Sequence, residues 1–266
     1  MVAEDQDNPA KQATLSVVMI VKNEEKHLDA CLQTVSWADE IVIMDSGSTD
    51  ATESIAKKYG AKYFTNTDWQ GYGPQRQLAQ AHATGDWVFV VDADERVTPE
   101  LAQEIQQVVK ENRQDSAYEI KRLPFCFGKF IRHGGWYPGL TTRLYPRLKA
   151  DYGDERVHER PHFKEPLKLK RLRADMLHFT YDNLEHYLVK SARYAAEHSL
   201  QRYEAGKRTS ILASLGHGIA KFIQQYLFKL GFLDGRHGFL LAVLSAHSTF
   251  VKHVNLWTRE QEARSR

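Results

Sequence analysis

Gly85-Asp86-Trp87-Val88-Phe89-Val90-Val91-Asp92-Ala93-Asp94-Glu95 is the stretch whose reading decides the fold. Trp87 to Val91 is an unbroken apolar run of β-branched and aromatic residues, the length of a strand covered on both faces. It stops abruptly in three carboxylates. Asp92 and Asp94 are two residues apart, so on an extended backbone their side chains project the same way and can share a hard cation or its waters. Two carboxylates that close repel unless a cation lies between them. An isolated Asp-x-Asp also reads as a solvated turn that merely ends a strand; the rest of the first half gives it weight.

Upstream, Leu15 to Val21 is a second buried-strand run, ending at Lys22-Asn23-Glu24-Glu25, after which Leu28, Cys31, Leu32 and Val35 recur at helical spacing. Ile41 to Met44 is a third, ending at Asp45-Ser46-Gly47-Ser48-Thr49-Asp50, whose hydroxyls and carboxylates suit a cap for a helix over 51–58. A short fourth strand is expected over 61–64, and a helix over 74–83 leads to the central strand. Strands alternating with helices imply βαβ units, a parallel sheet and right-handed crossovers. Such sheets bind ligands outside the carboxyl ends of their strands, and three of those ends carry acids: Glu24 with Glu25, Asp45, and Asp92 with Asp94. No Gly-x-Gly-x-x-Gly follows the first strand and no P-loop motif occurs, so a nucleotide held by carboxylates and a metal fits better than one cradled by glycines.

Composition sets outer bounds. At 266 residues the chain holds one large domain or a domain with an appendage, and its formal charge of +2 (36 basic, 34 acidic) excludes no partner class. The charge is uneven: from Leu200 to Arg266 there are ten Lys or Arg and four acids. Two cysteines, Cys31 and Cys126, are too few for a disulfide framework and suit a reducing compartment. Segment 1–14 is polar and expected to be flexible, with no apolar core of an export signal, and no stretch is long and apolar enough to span a bilayer.

The motifs Ser16-Val17-Val18-Met19-Ile20-Val21-Lys22-Asn23-Glu24-Glu25, Asp45-Ser46-Gly47-Ser48-Thr49-Asp50 and Asp92-Ala93-Asp94-Glu95 together resemble the family 2 inverting glycosyltransferases. Asp68-Trp69-Gln70-Gly71-Tyr72-Gly73, Gly135-Trp136-Tyr137-Pro138, Val157-His158-Glu159 and Gly231-Phe232-Leu233-Asp234-Gly235 look closer still to the lipopolysaccharide inner-core β-1,4-glucosyltransferases. The resemblance implies an α/β, Rossmann-like nucleotide-diphosphate-sugar-binding fold of the GT-A type with a C-terminal helical extension. It divides the chain into a flexible 1–14, a nucleotide-sugar half over 15–115, an acceptor part over 116–180 and helices over 181–266. It implies that Asp45 binds the uracil or ribose of a UDP-sugar with Glu24 nearby, that Asp92 faces ribose or metal, and that Asp94 coordinates Mg2+ or Mn2+ on the diphosphate. Arg76 is a candidate diphosphate partner, since a guanidinium binds phosphate oxygens bidentately; it reads equally as a solvated helix charge.

An inverting transfer needs a base for the attacking hydroxyl. Asp151, Asp154, Glu155 and Glu159 are the acids in the right region, and the family's Val-His-Glu points to Glu159. His158-Glu159-Arg160-Pro161-His162 also spells the zinc-protease signature, but Pro161 inside the helix that motif needs would cost about 3 kcal/mol or more. Trp136 and Tyr137 offer flat faces for acceptor sugars, Arg132, Arg143 and Arg147 offer charge, and His158 or His178 an extra contact; each also reads as ordinary core or surface. In the last third, 184–203 reads as a helix, and apolar residues from Ile211 to Leu230 keep helical spacing with interleaved lysines. Two further apolar stretches, 239–244 and 250–257, complete a basic, interrupted pattern suited to the headgroup region of an anionic leaflet, to the catalytic domain, or to another copy of the chain.

The expectation is therefore a cytoplasmic enzyme, peripheral on the inner membrane, that moves glucose from UDP-glucose to a lipid-linked lipopolysaccharide heptose without a nucleic-acid partner. Two rivals are an aspartyl phosphatase using Asp92 as nucleophile, which lacks its usual partner motifs here, and a non-catalytic nucleotide-sugar-binding adaptor.

Overall fold

The computed structural model describes residues 12–155 and 159–265; most of the segment expected to be flexible lies outside them, as does His158. The chain divides into two compact units, one of residues up to Lys121 with Leu140–Met176, the other of Arg122–Gly139 with Leu177–Arg266.

In the first unit the apolar runs become strands β1 (Leu15–Val21), β2 (Glu40–Asp45), β3 (Lys62–Thr65) and β4 (Trp87–Val90), separated by helices α1 (Leu28–Val35), α2 (Thr52–Lys58) and α3 (Tyr72–Ala81). These strands are parallel, with β1 between β2 and β4 and β3 outside β2. Boundaries shift from expectation by one or two residues; α3 starts at Tyr72 and also takes in Gly73, ahead of Pro74. Pairing registers Val21 with Asp45 and Val18 with Val90, so β1 and β2 end level while β4 ends three residues short of Val21, and the turn after it continues toward the same edge. Strand alternation sorts the core: Trp87, Phe89 and Val91 pack among Val17, Met19, Leu32 and Leu101 on one face, Val88 and Val90 against Ala79 of α3 and Ala83 just beyond it on the other.

Beyond β4 come β5 (Glu95–Val97), α4 (Pro99–Glu111), β6 (Ser116–Cys126), β7 (Lys129–Phe130), β8 (Gly139–Pro146), β9 (Ala150–Tyr152), β10 (Pro161–Phe163) and β11 (Lys168–Tyr181). The main sheet runs β3-β2-β1-β4-β8-β6-β11-β5, and β9 pairs with β10 apart from it. It is therefore mixed, since β8 lies antiparallel to β4 with Phe89 opposite Leu144. Helix α4 has a well-marked start: the Thr98 side chain accepts from Leu101 N–H at 3.2 Å, and Pro99 supplies a fixed φ at the first turn.

The second unit holds the hairpin around β7 and helices α5 (Leu184–Glu204), α6 (Ile211–Ile223) and α7 (Arg236–Arg264). Helix α7 is one element of 29 residues, where the sequence pattern suggests two separate apolar stretches. The polar residues between those stretches do not stop it, because residues 239–264 contain neither Gly nor Pro and Thr249 Oγ1 donates to Ser245 O at 2.8 Å. Ser191 of α5 donates to Ser248 of α7 at 2.9 Å. Many large apolar side chains of this unit stay exposed, among them Leu212 at 81% and Phe228 at 79%. Among the described residues no helix is long and apolar enough to cross a membrane.

Candidate active site

The site is built where β1, β2 and β4 end. The two loops that follow β1 and β2 interlock: Asn23 N donates to Ser48 Oγ (2.8 Å), Thr49 N to Asn23 Oδ1 (2.8 Å), Glu24 N to Thr52 Oγ1 (2.8 Å) and Ala51 N to Glu25 Oε2 (3.1 Å). Glu25 thus ties down the start of α2, while the Glu24 carbonyl starts α1 by accepting from His27 and Leu28. Asp45 is 3% exposed; its Oδ2 accepts from Gly47 N (2.9 Å) and Ser48 N (2.8 Å), shaping the loop from within. Gly47 has φ +88°, and a Cβ there would lie 3.0 Å from Thr67 Cγ2, so the turn requires glycine.

At the end of β4 the backbone does not stay extended. Glu95 N donates to Asp92 O at 3.0 Å, which closes a turn over Ala93 and Asp94, so the two aspartates do not project in parallel as an extended strand would make them. Asp92, next in alternation after Val88 and Val90, faces α3. Its Oδ1 accepts from Arg76 Nη2 at 2.7 Å and its Oδ2 from Arg143 Nη2 at 2.5 Å. Arg143 Nη2 also donates to Glu95 Oε1 at 2.8 Å, and Arg76 Nε to Glu159 Oε1 at 2.9 Å. The result is one chain of charge, Glu159–Arg76–Asp92–Arg143–Glu95, with three carboxylates and two guanidiniums. Both arginines are 4% exposed and Glu95 is 0% exposed, so the groups must be paired to be tolerated there. Burial works to raise the Asp92 carboxyl, but Arg143 and Arg76 outweigh it and hold it well below the usual carboxylate range.

Several sequence expectations change here. Arg76 is not a solvated helix charge: it is buried, lies over the Tyr152 ring at 5.7 Å, and joins Glu159 to Asp92. Its Nη1 is buried without an acceptor among the described residues, a donor that a bound phosphate oxygen would satisfy. Arg143 is no exposed acceptor contact; one residue past the Phe89–Leu144 pair, it is carried by antiparallel register to the Asp92 carboxylate. Glu95, quoted in the motif without a role, is the buried far end of the chain. Only the cross-strand register reveals these two, and that register is not written in local sequence. Arg147 is also engaged, its Nε donating to Gly85 O at 2.6 Å.

Glu159 stands beside the rim through Arg76. The segment before it is clamped to α3, because Gly73 N donates to Glu155 O at 2.9 Å and a Cβ on Gly73 would meet Gly153 O at 2.2 Å. His162 lies on β10, an antiparallel strand opposite Asp151, so the helix required by a zinc-protease signature is absent at its second histidine. Trp136, expected as an acceptor platform, packs edge-on to Tyr181 at 6.2 Å beside Cys126, Ile131 and Leu241 in the second unit's small core. Tyr137 lies under Arg132 at 5.7 Å, and His178 Nδ1 is 3.2 Å from Thr180 Oγ1.

A divalent metal would find no all-protein cage: among the described residues no three His, Cys, Asp or Glu side chains converge to hold one. Mg2+ and Mn2+ with nucleotides are instead commonly held by one or two carboxylates plus substrate phosphates. Asp94, a half-buried hard-oxygen donor in the turn after β4, fits that arrangement, whereas both Asp92 oxygens already accept from guanidiniums.

Residues 16–169, more than half of the chain, match the model of the family described as Glycosyl transferase family 2. A protein of Rickettsia conorii named as an uncharacterized glycosyltransferase is 27% identical over 277 residues, covering 97% of this chain and 94% of its own. The lipopolysaccharide core biosynthesis glycosyltransferase LpsC of Rhizobium meliloti is 27% identical over 250 residues, 92% of each chain. Among solved structures, Staphylococcus aureus TarS 1–349 aligns with 95% of this chain and 91% of its own at 18% identity and a TM-score of 0.46. Glucosyl-3-phosphoglycerate synthase from Mycobacterium tuberculosis, solved with Mn2+ and UDP-glucose, aligns with 42% of this chain and 44% of its own at 25% identity and a TM-score of 0.36.

Proposed function

The chain belongs to glycosyl transferase family 2 and is a glycosyltransferase, and from that premise we propose that it transfers glucose from UDP-glucose, with inversion, to a heptose of the lipopolysaccharide inner core. The observation that carries this reading is the single Arg76 guanidinium that touches both Asp92 at the strand rim and Glu159 on the acceptor-side segment. It sets a rim for the leaving nucleotide and a carboxylate for the attacking hydroxyl one guanidinium apart. The named role of the Rhizobium meliloti relative supports the lipopolysaccharide acceptor.

In this mechanism Glu159 takes the proton from the acceptor hydroxyl as its oxygen attacks the anomeric carbon, and the bond to the diphosphate oxygen breaks from the opposite face. Arg76 Nη1 donates to the diphosphate, while the loops that Asp45 and Asp92 hold in shape frame the nucleoside, with Glu24 beside them. Mg2+ or Mn2+ on Asp94 would neutralise charge on the departing UDP. Incubating the enzyme with a panel of radiolabelled nucleotide sugars and de-acylated inner-core acceptor tests the reading. UDP-glucose should give a β-linked product; preference for another donor would reassign the sugar, and release of phosphate from monoesters without transfer would sink the proposal.

The same reading places the enzyme on the cytoplasmic face of an anionic membrane. Between Ala205 and Arg259 there are seven Lys or Arg and one acid, Asp234. Asp234 is 4% exposed and accepts from Arg132 N and His133 N, so the exposed charge of this stretch is positive. A basic fringe around exposed Leu212 and Phe228 suits phosphate headgroups over acyl chains. Leu212→Glu with Phe228→Glu should reduce sedimentation with phosphatidylglycerol vesicles at least about tenfold and leave turnover on de-acylated acceptor unchanged. Unchanged sedimentation would remove the membrane from the account, and a drop in native mass would assign the face to a second copy.

A further inference from the structure

The mechanism leaves Asp68-Trp69-Gln70-Gly71-Tyr72 without a role, although it stands directly at the rim. Trp69 and Tyr72 are 45% and 37% exposed, and their rings meet edge to face with centroids 5.0 Å apart. Core aromatics of the same unit behave differently: Trp87 is 0% exposed. The loop that presents the pair is held firmly. Asn66 N donates to Asp45 O (2.8 Å), Asn66 Nδ2 to Gln75 Oε1 (2.8 Å), and Gln75 Nε2 to Ser46 Oγ (3.0 Å), which ties the loop to the β2 end. Gly73 N ties it on the other side to Glu155 O. Ordering two large aromatic side chains at the surface costs conformational entropy that no core contact offsets, so a bound group is the natural cover.

Position identifies the group. Tyr72 and Arg76 are four residues apart on α3 and share one face of the helix, and Arg76 contacts both Asp92 and Glu159. The pair therefore stands one helical turn from the point where rim and candidate base meet. A sugar ring has an apolar C–H face that lies on an indole and a hydroxyl edge that wants amides and carboxylates; here Gln70 Nε2 donates to Asp68 Oδ1 at 2.7 Å beside the rings. We propose that Trp69 and Tyr72 form a platform that stacks a pyranose ring at the reaction rim, either the transferred hexose or the acceptor's sugar. This deepens the glycosyltransferase reading and rests on it.

Trp69→Ala, Tyr72→Ala and Trp69→Phe test the platform, since both residues are exposed and their loss leaves the core untouched. Trp69→Ala is expected to raise KM about tenfold for UDP-glucose, if the transferred sugar lies on the ring, or for the de-acylated acceptor, if that sugar does, with a smaller change in kcat. Trp69→Phe should recover most of the loss, and Kd for UDP alone should stay within about twofold of wild type. Intrinsic fluorescence titrated with methyl β-glucopyranoside gives a readout that needs no turnover: the wild type should respond and Trp69→Ala should not. Equal weakening of UDP alone would make the pair a nucleobase reader and overturn the proposal. So would unchanged KM in both arms together with a glycoside response that persists in Trp69→Ala. Wild-type enzyme that binds the glycoside through Trp69 yet transfers no sugar from any nucleotide donor would instead overturn the proposed function and leave the platform standing.

Discussion

Asp94→Ala is expected to lower sugar transfer by about three orders of magnitude while moving the thermal transition by less than about 3 °C. The side chain is half-buried in the turn after β4 and belongs to no strand pairing, so its loss leaves the sheet intact. What the variant lacks is the hard oxygen donor that would hold the cation on the diphosphate, and electrostatic stabilisation of a leaving group is usually the largest single catalytic contribution. Asp94→Asn should fall nearly as far, since an amide oxygen is a weaker ligand for Mg2+ or Mn2+. Steady-state transfer at saturating metal, paired with a melting curve, checks both halves of the expectation. Transfer within about tenfold of wild type would exclude Asp94 from the reaction.

Arg143→Met is expected to be the most destabilising single change at the site, by about 3–5 kcal/mol in urea unfolding. Arg143 donates to Asp92 and to Glu95, and Glu95 has no access to water; removing the guanidinium leaves a buried carboxylate without its cation. Adding Glu95→Gln to Arg143→Met should recover part of that loss, because the uncompensated charge goes with it. The network also sets an acid limit. Asp92 has a folded pKa well below that of the unfolded chain, so its contribution is complete above about pH 4 and is lost as pH falls from there towards the folded value. Arg143→Met should flatten that acid dependence. A loss under about 1 kcal/mol would mean that the buried pairs are not what holds this corner together.

Much of the fold is legible in the sequence because its signals are local. Four apolar runs ending in turn chemistry give the parallel strands, and their acidic ends mark the edge of the sheet where the candidate site lies. The pairing of Val21 with Asp45 and of Val18 with Val90 turns three separate motifs into one rim. What local sequence does not carry is the antiparallel half. Arg143 looks like a surface charge in a Gly- and aromatic-rich segment until β8 is laid against β4, and only then does it reach Asp92. Trp136 shows the same limit: its neighbour Tyr181 is 45 positions away, and local sequence does not tell that the half-buried indole packs at right angles to that ring against a small core. The zinc-protease signature shows the converse case, in which a correct local argument, proline within a required helix, already excludes what the strand at 161–163 then rules out. Asp92 and Asp94 fall between these cases. Their place at the strand end is local, but their parting depends on a turn and on two arginines from elsewhere.

The central claim is that carboxylates from separate strands make one rim that holds a cation together with a nucleoside diphosphate. Isothermal titration of UDP into the wild-type enzyme with Mn2+, with EDTA, and into Asp94→Ala with Mn2+ tests it most directly. The account predicts binding that weakens at least about tenfold both on chelation and in the variant, to a similar level in the two cases. Equal UDP affinity in all three titrations, or no UDP binding by the wild type, would contradict it.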